Sequence, residues 1–284
     1  MSYLDHVRAC NRHDLAGFIP FVVDGMVVGR VRPAFARALD PWPELFPVRE
    51  GRLELRLPPG DIEARSRPLA GVLRQLVERG VLSHLHGEQY VATPGGRGQG
   101  VVLIDRAAAP AFGIRAFGQH LNGFVRGRDG LKLWIGRRSA DRINFPGRLD
   151  HLVAGGLPWG IGLLENLVKE CHEEAGIPET LARQAVPVGA VTYVAETDKG
   201  LKPDTLYCYD LELPEDFRPR CTDGEVAAFY LWPVARVMEV VSGSDEFKLN
   251  CNLVITDFLI RHGCLGPEHP EYLELTTGLH PPLP

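Results

Sequence analysis

Apolar positions along the chain change period several times, and the changes outline two units. Leu4, Val7 and Ala9 stand among polar groups within residues 1–14 and predict a short amphipathic helix. Phe18 to Val31, FIPFVVDGMVVGRV, predicts two strands joined at Asp24-Gly25, a dipeptide suited to the positive φ angles of a tight hairpin. Pro33 to Leu39 fits one helical stretch before the Pro41-Trp42-Pro43 break. Leu53 to Leu57 alternates like a half-buried strand. Ile62 to Gly80 carries Leu69, Val72, Leu73, Leu76 and Val77 on one helical face. His86 to Thr93 and Val101 to Asp105 are further strands, and Pro110 to Gly113 is a turn. These elements make a small α+β unit with no evident catalytic set, and we place a boundary near Gly118.

From His120 the pattern becomes strand, turn at Gly127 to Gly130, and strand (LKLWIGRRS), followed by irregular residues around Asn144-Phe145-Pro146-Gly147. Val186 to Glu196 and Thr205 to Leu213 are strand-like, Pro214 to Asp223 is a loop, and Ala227 to Trp232 is another strand. Pro233 to Val241 and Phe247 to His262 are predicted helices, and Tyr272 to Leu275 is a short apolar run near the end.

Between these strands lies LVAGGLPWGIGLLENLVKECHEEAGI, Leu152 to Ile177. A glycine pair, Gly155-Gly156, ends a β-rich run, and a helix follows. Leu164, Leu167, Val168 and Cys171 recur at helical spacing, and Gly176 stands where a left-handed C-cap is expected. Glu170, Glu173 and Glu174 crowd one turn at spacings that put like charges side by side, at about 0.2–0.5 kcal/mol for each pair. They also sit near the helix C-terminus, where the dipole disfavours anions. A hard cation bound by carboxylate oxygens, such as Mg²⁺, would reverse that balance. The alternative is a solvated acidic face. Glu165, four residues before Lys169, suits an ordinary helix ion pair.

This stretch resembles the Nudix box, G-x5-E-x7-R-E-U-x-E-E-x-G-U with U aliphatic. Gly155 takes the first glycine, Lys169 the arginine, and Glu170, Glu173 and Glu174 the three later glutamates; Gly176 and Ile177 complete it. Ile161 stands where the first glutamate belongs, and lysine offers a point charge instead of the bidentate fork of arginine. The resemblance covers roughly Gly118 to the end. It implies an α/β fold, a Nudix α/β/α sandwich with a mixed sheet at 119–284, preceded by the small α+β unit at 1–118. It further implies Glu170, Glu173 and Glu174 as metal ligands, the backbone carbonyl of Ala154 as a fourth, and Mg²⁺ (or Mn²⁺) as the ion. Glu170 and Glu174 become catalytic candidates, joined by Glu225 in Asp223-Gly224-Glu225, since the family often adds a glutamate from a downstream loop. Gly155, Gly156 and Lys169 fall on the substrate side, and Arg138, ending a strand, is a candidate phosphate contact. His172 is treated as structural. Trp134, Trp159, Tyr193 and Phe145 are available to stack on a heterocycle, with Lys248 and Asn252 as weaker substrate candidates.

The whole chain further resembles a plant, fungal and bacterial branch related to the Nudix half of thiamine pyrophosphokinase fusions. The residues that carry this likeness are LDHLVAGG at Leu149 to Gly156, ENLVKECHEEAGI at Glu165 to Ile177, YDLELPEDFRP at Tyr209 to Pro219 and FKLNCNLVITDFLIRHG at Phe247 to Gly263. It implies hydrolysis of a thiamine diphosphate-like compound, especially an oxidised or damaged one, to the monophosphate and phosphate. A nucleotide pyrophosphohydrolase acting on 8-oxo-dGTP, ADP-ribose or a dinucleotide is the second reading, and an inactive Nudix-fold binding module the third.

Composition narrows the rest. A net charge of −5 gives no general reason to bind a nucleic acid polymer, so an anionic diphosphate must be met by local cations or metal. No apolar run is long enough to span a membrane, and the first residues lack a secretory core. The six cysteines form no C-x-x-C pair and no zinc-spaced cluster, and suggest reduced core thiols of a cytoplasmic protein. GGRGQG at Gly95 to Gly100 precedes a strand instead of opening a helix, so it reads as a surface loop and not as a nucleotide loop. The N-terminal unit is a candidate cover for the site, a specificity element or a homodimer surface.

Overall fold

The computed structural model describes residues 1–284. Its first helix, α1 (Tyr3–Cys10), opens with a capping box in which Ser2 and Asp5 exchange side-chain-to-backbone hydrogen bonds of 3.2 and 2.7 Å. β1 (Ile19–Val23) and β2 (Met26–Val31) form the expected hairpin, with Asp24 at φ 50° and Gly25 at φ 78°. Two consecutive positive φ angles match the right-handed twist of the strands, which is why that dipeptide marks the turn. Then come α2 (Pro33–Ala38), β3 (Val48–Arg49), β4 (Arg52–Leu55) and α3 (Ile62–Glu78), the last capped by the Asp61 carboxylate. β5 (Gln89–Ala92) and β6 (Val102–Asp105) pair by themselves, and α4 (Ala109–Phe112) ends at Gly113. The sheet β2-β1-β4-β3 shares an apolar core with α3 and α4, built on Phe21, Leu53, Leu69, Leu76 and Phe112, all fully buried.

The second sheet begins at β7 (Ala116–Gly127) and runs through β8 (Gly130–Arg138), β9 (Leu149–Asp150) and β10 (Val153–Gly156). After α5 (Leu163–Ala175) and α6 (Glu179–Ala182) come β11 (Val186–Thr197), β12 (Gly200–Glu212) and β13 (Val226–Pro233). α7 (Val234–Gly243), α8 (Cys251–Arg261) and α9 (Tyr272–Gly278) close the chain. The order is β11-β12-β7-β8-β13, and only β12 and β7 run parallel, so the sheet is mixed. β10 takes the other edge of β7 where β8 has diverged. α5 packs on one face through Leu167, Cys171 and Ala175, and α7 and α8 on the other through Val237, Leu253 and Phe258. The result is the expected α/β/α sandwich of mixed sheet and helices.

Three local expectations differ. The last long helix starts at Cys251 and not at Phe247, because Lys248 N donates to Leu149 O at 2.8 Å and Leu149 N to Glu246 O at 3.0 Å. That β-type pairing along β9 holds the segment extended. The apolar run at Tyr272 belongs to a helix, α9. Helix α1 packs with the core of the second sheet through Tyr3, Leu4, Val7 and Cys10. There, His6 Nε2 meets Val241 O at 2.8 Å, and Val194 N donates to Asn11 Oδ1 at 3.1 Å.

Candidate active site

β10 lies antiparallel to β7 with Ala154 opposite His120 and Gly156 opposite Gly118, and α5 stands over this strand end. Gly176 takes φ 62°, a left-handed conformation, and stops the helix as its sequence position requires. The last carbonyls of α5 are not left to solvent. Arg220 N donates to Ala175 O and Thr222 N to Glu173 O, each at 2.9 Å. Closing those orphan acceptors docks the 220–225 loop against the helix, and the docking carries Glu225 toward the acids.

The three glutamates of α5 are not equivalent. Glu174 is buried and accepts Ala154 N–H at 2.8 Å. Burial pushes its carboxyl well above the ordinary range; the Ala154 bond pulls it down, while Asp150, Glu170 and Glu225 push it further up. Glu170 is also raised, first by burial, with Lys169 acting against the shift. Glu173 is the outer member, its side chain 39% exposed. Lys169 lies 3.3 Å from Glu170 and 2.9 Å from Glu173, so the lysine at the arginine position bridges two box glutamates. Glu165 is not its partner; the expected Glu165–Lys169 pair is absent because the downstream carboxylates hold the ammonium.

Gly155 is what allows Glu170 this position. A Cβ at Gly155 would lie 2.6 Å from the Glu170 carboxyl carbon. The strand end is thus a cradle that a side chain would fill. Two inward carboxylates meet there, and Lys169 reaches only one of them. A hard divalent cation suits that donor set, since oxygen ligands of this kind are its preferred partners.

A buried polar network, which the sequence reading missed, holds α5 in place. Asn166 Nδ2 donates to Gln119 Oε1 at 2.8 Å and to Gly156 O at 3.1 Å. Gln119 Nε2 donates to Leu163 O at 2.8 Å and to the Tyr209 hydroxyl at 3.3 Å. Asn166 takes an inner position, whereas Leu164, which shares the predicted apolar stripe, is 44% exposed in the first turn. Asn166→Leu keeps the branching of the side chain but removes both hydrogen bonds, leaving Gln119 Oε1 and Gly156 O without that donor. Urea unfolding is expected to show a loss of about 1–3 kcal/mol, and an unchanged midpoint would argue against the network.

Other candidates lie apart from the acids or are already engaged. Arg138 donates to Asp150 Oδ2 at 2.8 Å and to Asn144 O, with its side chain 11% exposed, so its guanidinium does not stand free. Lys248 pairs with the same Asp150 carboxylate at 3.2 Å. Burial opposes ionisation of Asp150, but Lys248 and a hydrogen bond from His151 hold it well below the usual carboxylate range. His120, His151 and Cys251 gather round it, and burial drives both imidazoles toward the neutral form. Two cations already sit on Asp150, so this cluster is a braced polar knot beneath β10. Trp134 and Tyr193 are core residues, and Tyr193 donates to Asp204 at 2.6 Å. Asn252 is buried in α8, its amide donating to Leu249 O. Phe145 is exposed. Glu225 is ion-paired with Arg142 and accepts Ser139 N–H at its backbone carbonyl.

The loop between β10 and α5 is held by the N-terminal unit. Arg97 donates to Pro158 O and Ile161 O, Trp159 N donates to Gln89 O at 2.7 Å, and Trp159 Nε1 donates to Glu63 at 2.9 Å. Leu157 packs with Val91, Leu103 and Phe117, and Ile161 lies against that cluster. The glycine-rich stretch read as a surface loop therefore supplies a clamp, through Arg97. Ile161, at the aberrant box position, does apolar packing that a glutamate could not do.

Comparison with known proteins agrees with this geometry. Residues 2–116 match a family described as a domain of unknown function, DUF4743. Nudix hydrolase 24, chloroplastic, of Arabidopsis thaliana is 45% identical over 279 residues, which is 96% of this chain and 76% of that protein. Nudix hydrolase 20, chloroplastic, of the same plant is 45% identical over 286 residues, with the same coverage. The uncharacterized protein YJR142W of Saccharomyces cerevisiae is 35% identical over 259 residues, 85% of this chain and 75% of that protein. A more distant likeness is the NUDIX domain of Shewanella oneidensis NrtR, solved with ADP ribose: 15% identity, TM-score 0.42, 55% of this chain and 92% of that one. Since nearly half the residues are shared with two plant enzymes along almost the whole length, box helix and N-terminal unit alike, the chain belongs to the Nudix hydrolases, enzymes of phosphoric anhydride cleavage that generally work with a divalent metal.

Proposed function

We propose that this chain hydrolyses an organic diphosphate to the monophosphate and inorganic phosphate, with Mg²⁺, or Mn²⁺ in its place. The observation that carries the reading is Glu174, a carboxylate inside the protein beside Glu170, with one backbone N–H as its hydrogen-bond partner. Glu170, Glu173, Glu174 and the Ala154 carbonyl would hold the ion. When bound, it would offset the charge of phosphate oxygens and make a water more acidic. Lys169 fixes the spacing of Glu170 and Glu173, and Gly155, lacking a side chain, makes room for the Glu170 carboxyl at the strand end. Glu170 is also a candidate to accept the proton of attacking water, in place of a ligand role. Glu225, held by Arg142, is the second candidate. Arg138 would act on a phosphate only after leaving Asp150, so we assign it to bracing β9.

For the substrate we favour a thiamine diphosphate-like compound, oxidised or damaged forms included; its support is the sequence likeness along both units. The test is phosphate release from thiamine diphosphate and its oxidised form against 8-oxo-dGTP, ADP-ribose and a dinucleotide, with Mg²⁺ and with EDTA. The highest kcat/KM is expected on the thiamine compounds. A preference for nucleotides would favour the pyrophosphohydrolase reading, and no metal-dependent release would leave a binding module.

We also propose residues 1–118 and 119–284 as the two domains, a homodimer formed through the first, and a cytoplasmic location. The six cysteines are free, which suits a reducing compartment, and no helix is long and apolar enough to cross a membrane. The plant relatives are named chloroplastic.

A further inference from the structure

Between β8 and β9 the chain leaves the sheet in a loop, residues 139–148. Its two ends are pinned together: Arg138 N donates to Arg148 O at 2.9 Å, and Arg137 Nη1 to Gly147 O at 2.8 Å. Compact loops closed at the base in this way often carry binding groups. The base is joined to the box helix through the 220–225 loop. Ser139 N donates to Glu225 O at 2.9 Å, and Val226 pairs with Arg138 at the start of β13. At the other end of that loop, Thr222 donates to Glu173 O through N at 2.9 Å and through Oγ1 at 3.0 Å. Glu225 therefore stands between the base of the 139–148 loop and the last turn of α5, where Glu173 and Glu174 lie. From the tip of the loop, the Arg142 guanidinium pairs with the Glu225 carboxylate.

We propose that Arg142 is a substrate-binding residue: it exchanges the Glu225 carboxylate for phosphate oxygens of the diphosphate, and residues 139–147 are the flap that carries it. The proposal rests on the diphosphatase reading and names the residue that holds the substrate's anionic end.

The tip of the loop is not built into the body of the protein. Ile143 is 85% exposed and Phe145 46%, so neither large apolar side chain is buried against it. Phe145 stands at φ 53°, a left-handed conformation that a bulky residue rarely takes. Apart from the pair with Glu225, the tip is held by the Arg138 guanidinium on Asn144 O, at 3.1 and 3.2 Å. The Arg142 and Glu225 side chains are 37% and 33% exposed, and a pair that open contributes little to folding. A guanidinium fork binds two phosphate oxygens at once through charge-assisted bonds, which favours the exchange when a diphosphate arrives beside the acids. The exchange also frees the Glu225 carboxylate only when substrate is present, as a proton acceptor or further ion ligand requires. Lys169, the cation within the box, is already shared between Glu170 and Glu173.

The test uses the full chain in two calorimetric titrations: Mg²⁺ alone, and methylenediphosphonate, a diphosphate with an uncleavable bridge, in excess Mg²⁺. Arg142→Gln is expected to weaken diphosphonate binding about tenfold or more, the loss of a charge-assisted contact, and Arg142→Lys to recover part of it. Both variants are expected to bind Mg²⁺ alone no more weakly than the parent, because Glu225 is released and not lost. An arginine that merely braced Glu225 would give parallel losses in the two titrations, and that result would overturn the proposal, as would unchanged diphosphonate binding by Arg142→Gln. Melting curves check folding, and if Arg142→Gln does not fold, the same pair of titrations on Arg142→Lys decides. Failure of the parent chain to bind the diphosphonate would overturn the diphosphatase reading together with this one, whereas parental binding that Arg142→Gln leaves intact overturns only the role of Arg142.

Discussion

Glu174→Gln is expected to lower metal-dependent hydrolysis roughly a thousandfold and, in metal-free buffer near neutral pH, to melt above the parent. The first effect is the several kcal/mol that charge stabilisation by a correctly held metal contributes to a barrier. The second follows from linkage. Burial, before any other cause, raises the Glu174 carboxyl well above its ordinary 4.5. A group raised on folding contributes stability that is complete below the unfolded value and is lost as pH climbs through the folded one. Glutamine keeps the shape, can still accept from Ala154, and never ionises. The gap in melting temperature between variant and parent is therefore expected to open from about pH 4.5 upward, the ordinary carboxyl range. Excess Mg²⁺ should stabilise the parent more than the variant and close or invert the gap. Scanning calorimetry with EDTA and with Mg²⁺ reads both, and a variant that melts below the parent at every pH without metal would refute the account.

Gly200→Ala is expected to cost about 3 kcal/mol, the combined scale of backbone strain and overpacking. Gly200 turns the β11–β12 hairpin at φ 133°, a conformation that residues with a side chain rarely adopt. An added Cβ would also lie 2.7 Å from the Pro110 carbonyl carbon and 3.1 Å from Ala111 Cα. Both are backbone atoms of α4, so no rotamer relieves the clash. The melting temperature should fall by roughly 5–10 °C. Since α4 belongs to the unit that clamps the loop before α5, activity at low temperature should fall as well. An unchanged melting temperature would mean that the hairpin and α4 do not press on each other in solution.

Local chemistry explains which features were legible in the sequence. Asp24-Gly25 and Gly176 announce themselves because only a few residues tolerate their φ angles. The helical period of α5 gave its buried Leu167 and Cys171. Pairing between distant segments hid the rest. Asn166 looks like an ordinary helix polar residue until β7 brings Gln119 beneath it. Phe247 and Lys248 open a helical pattern but are drawn into pairing with β9. Trp134 and Tyr193 are apolar enough to stack on a ligand, and are spent on the core instead.

Helix α1 leaves its own neighbours and packs beside α8 and α9, and Tyr3 OH donates to Met238 O of α7 at 3.2 Å. The opening helix of the first proposed domain is thereby part of the packing of the second. A lineage that discarded the rest of the first domain would have to excise it internally and keep that helix. Simple shortening from the front would instead strip Tyr3, Leu4 and Val7 from a core they help to fill.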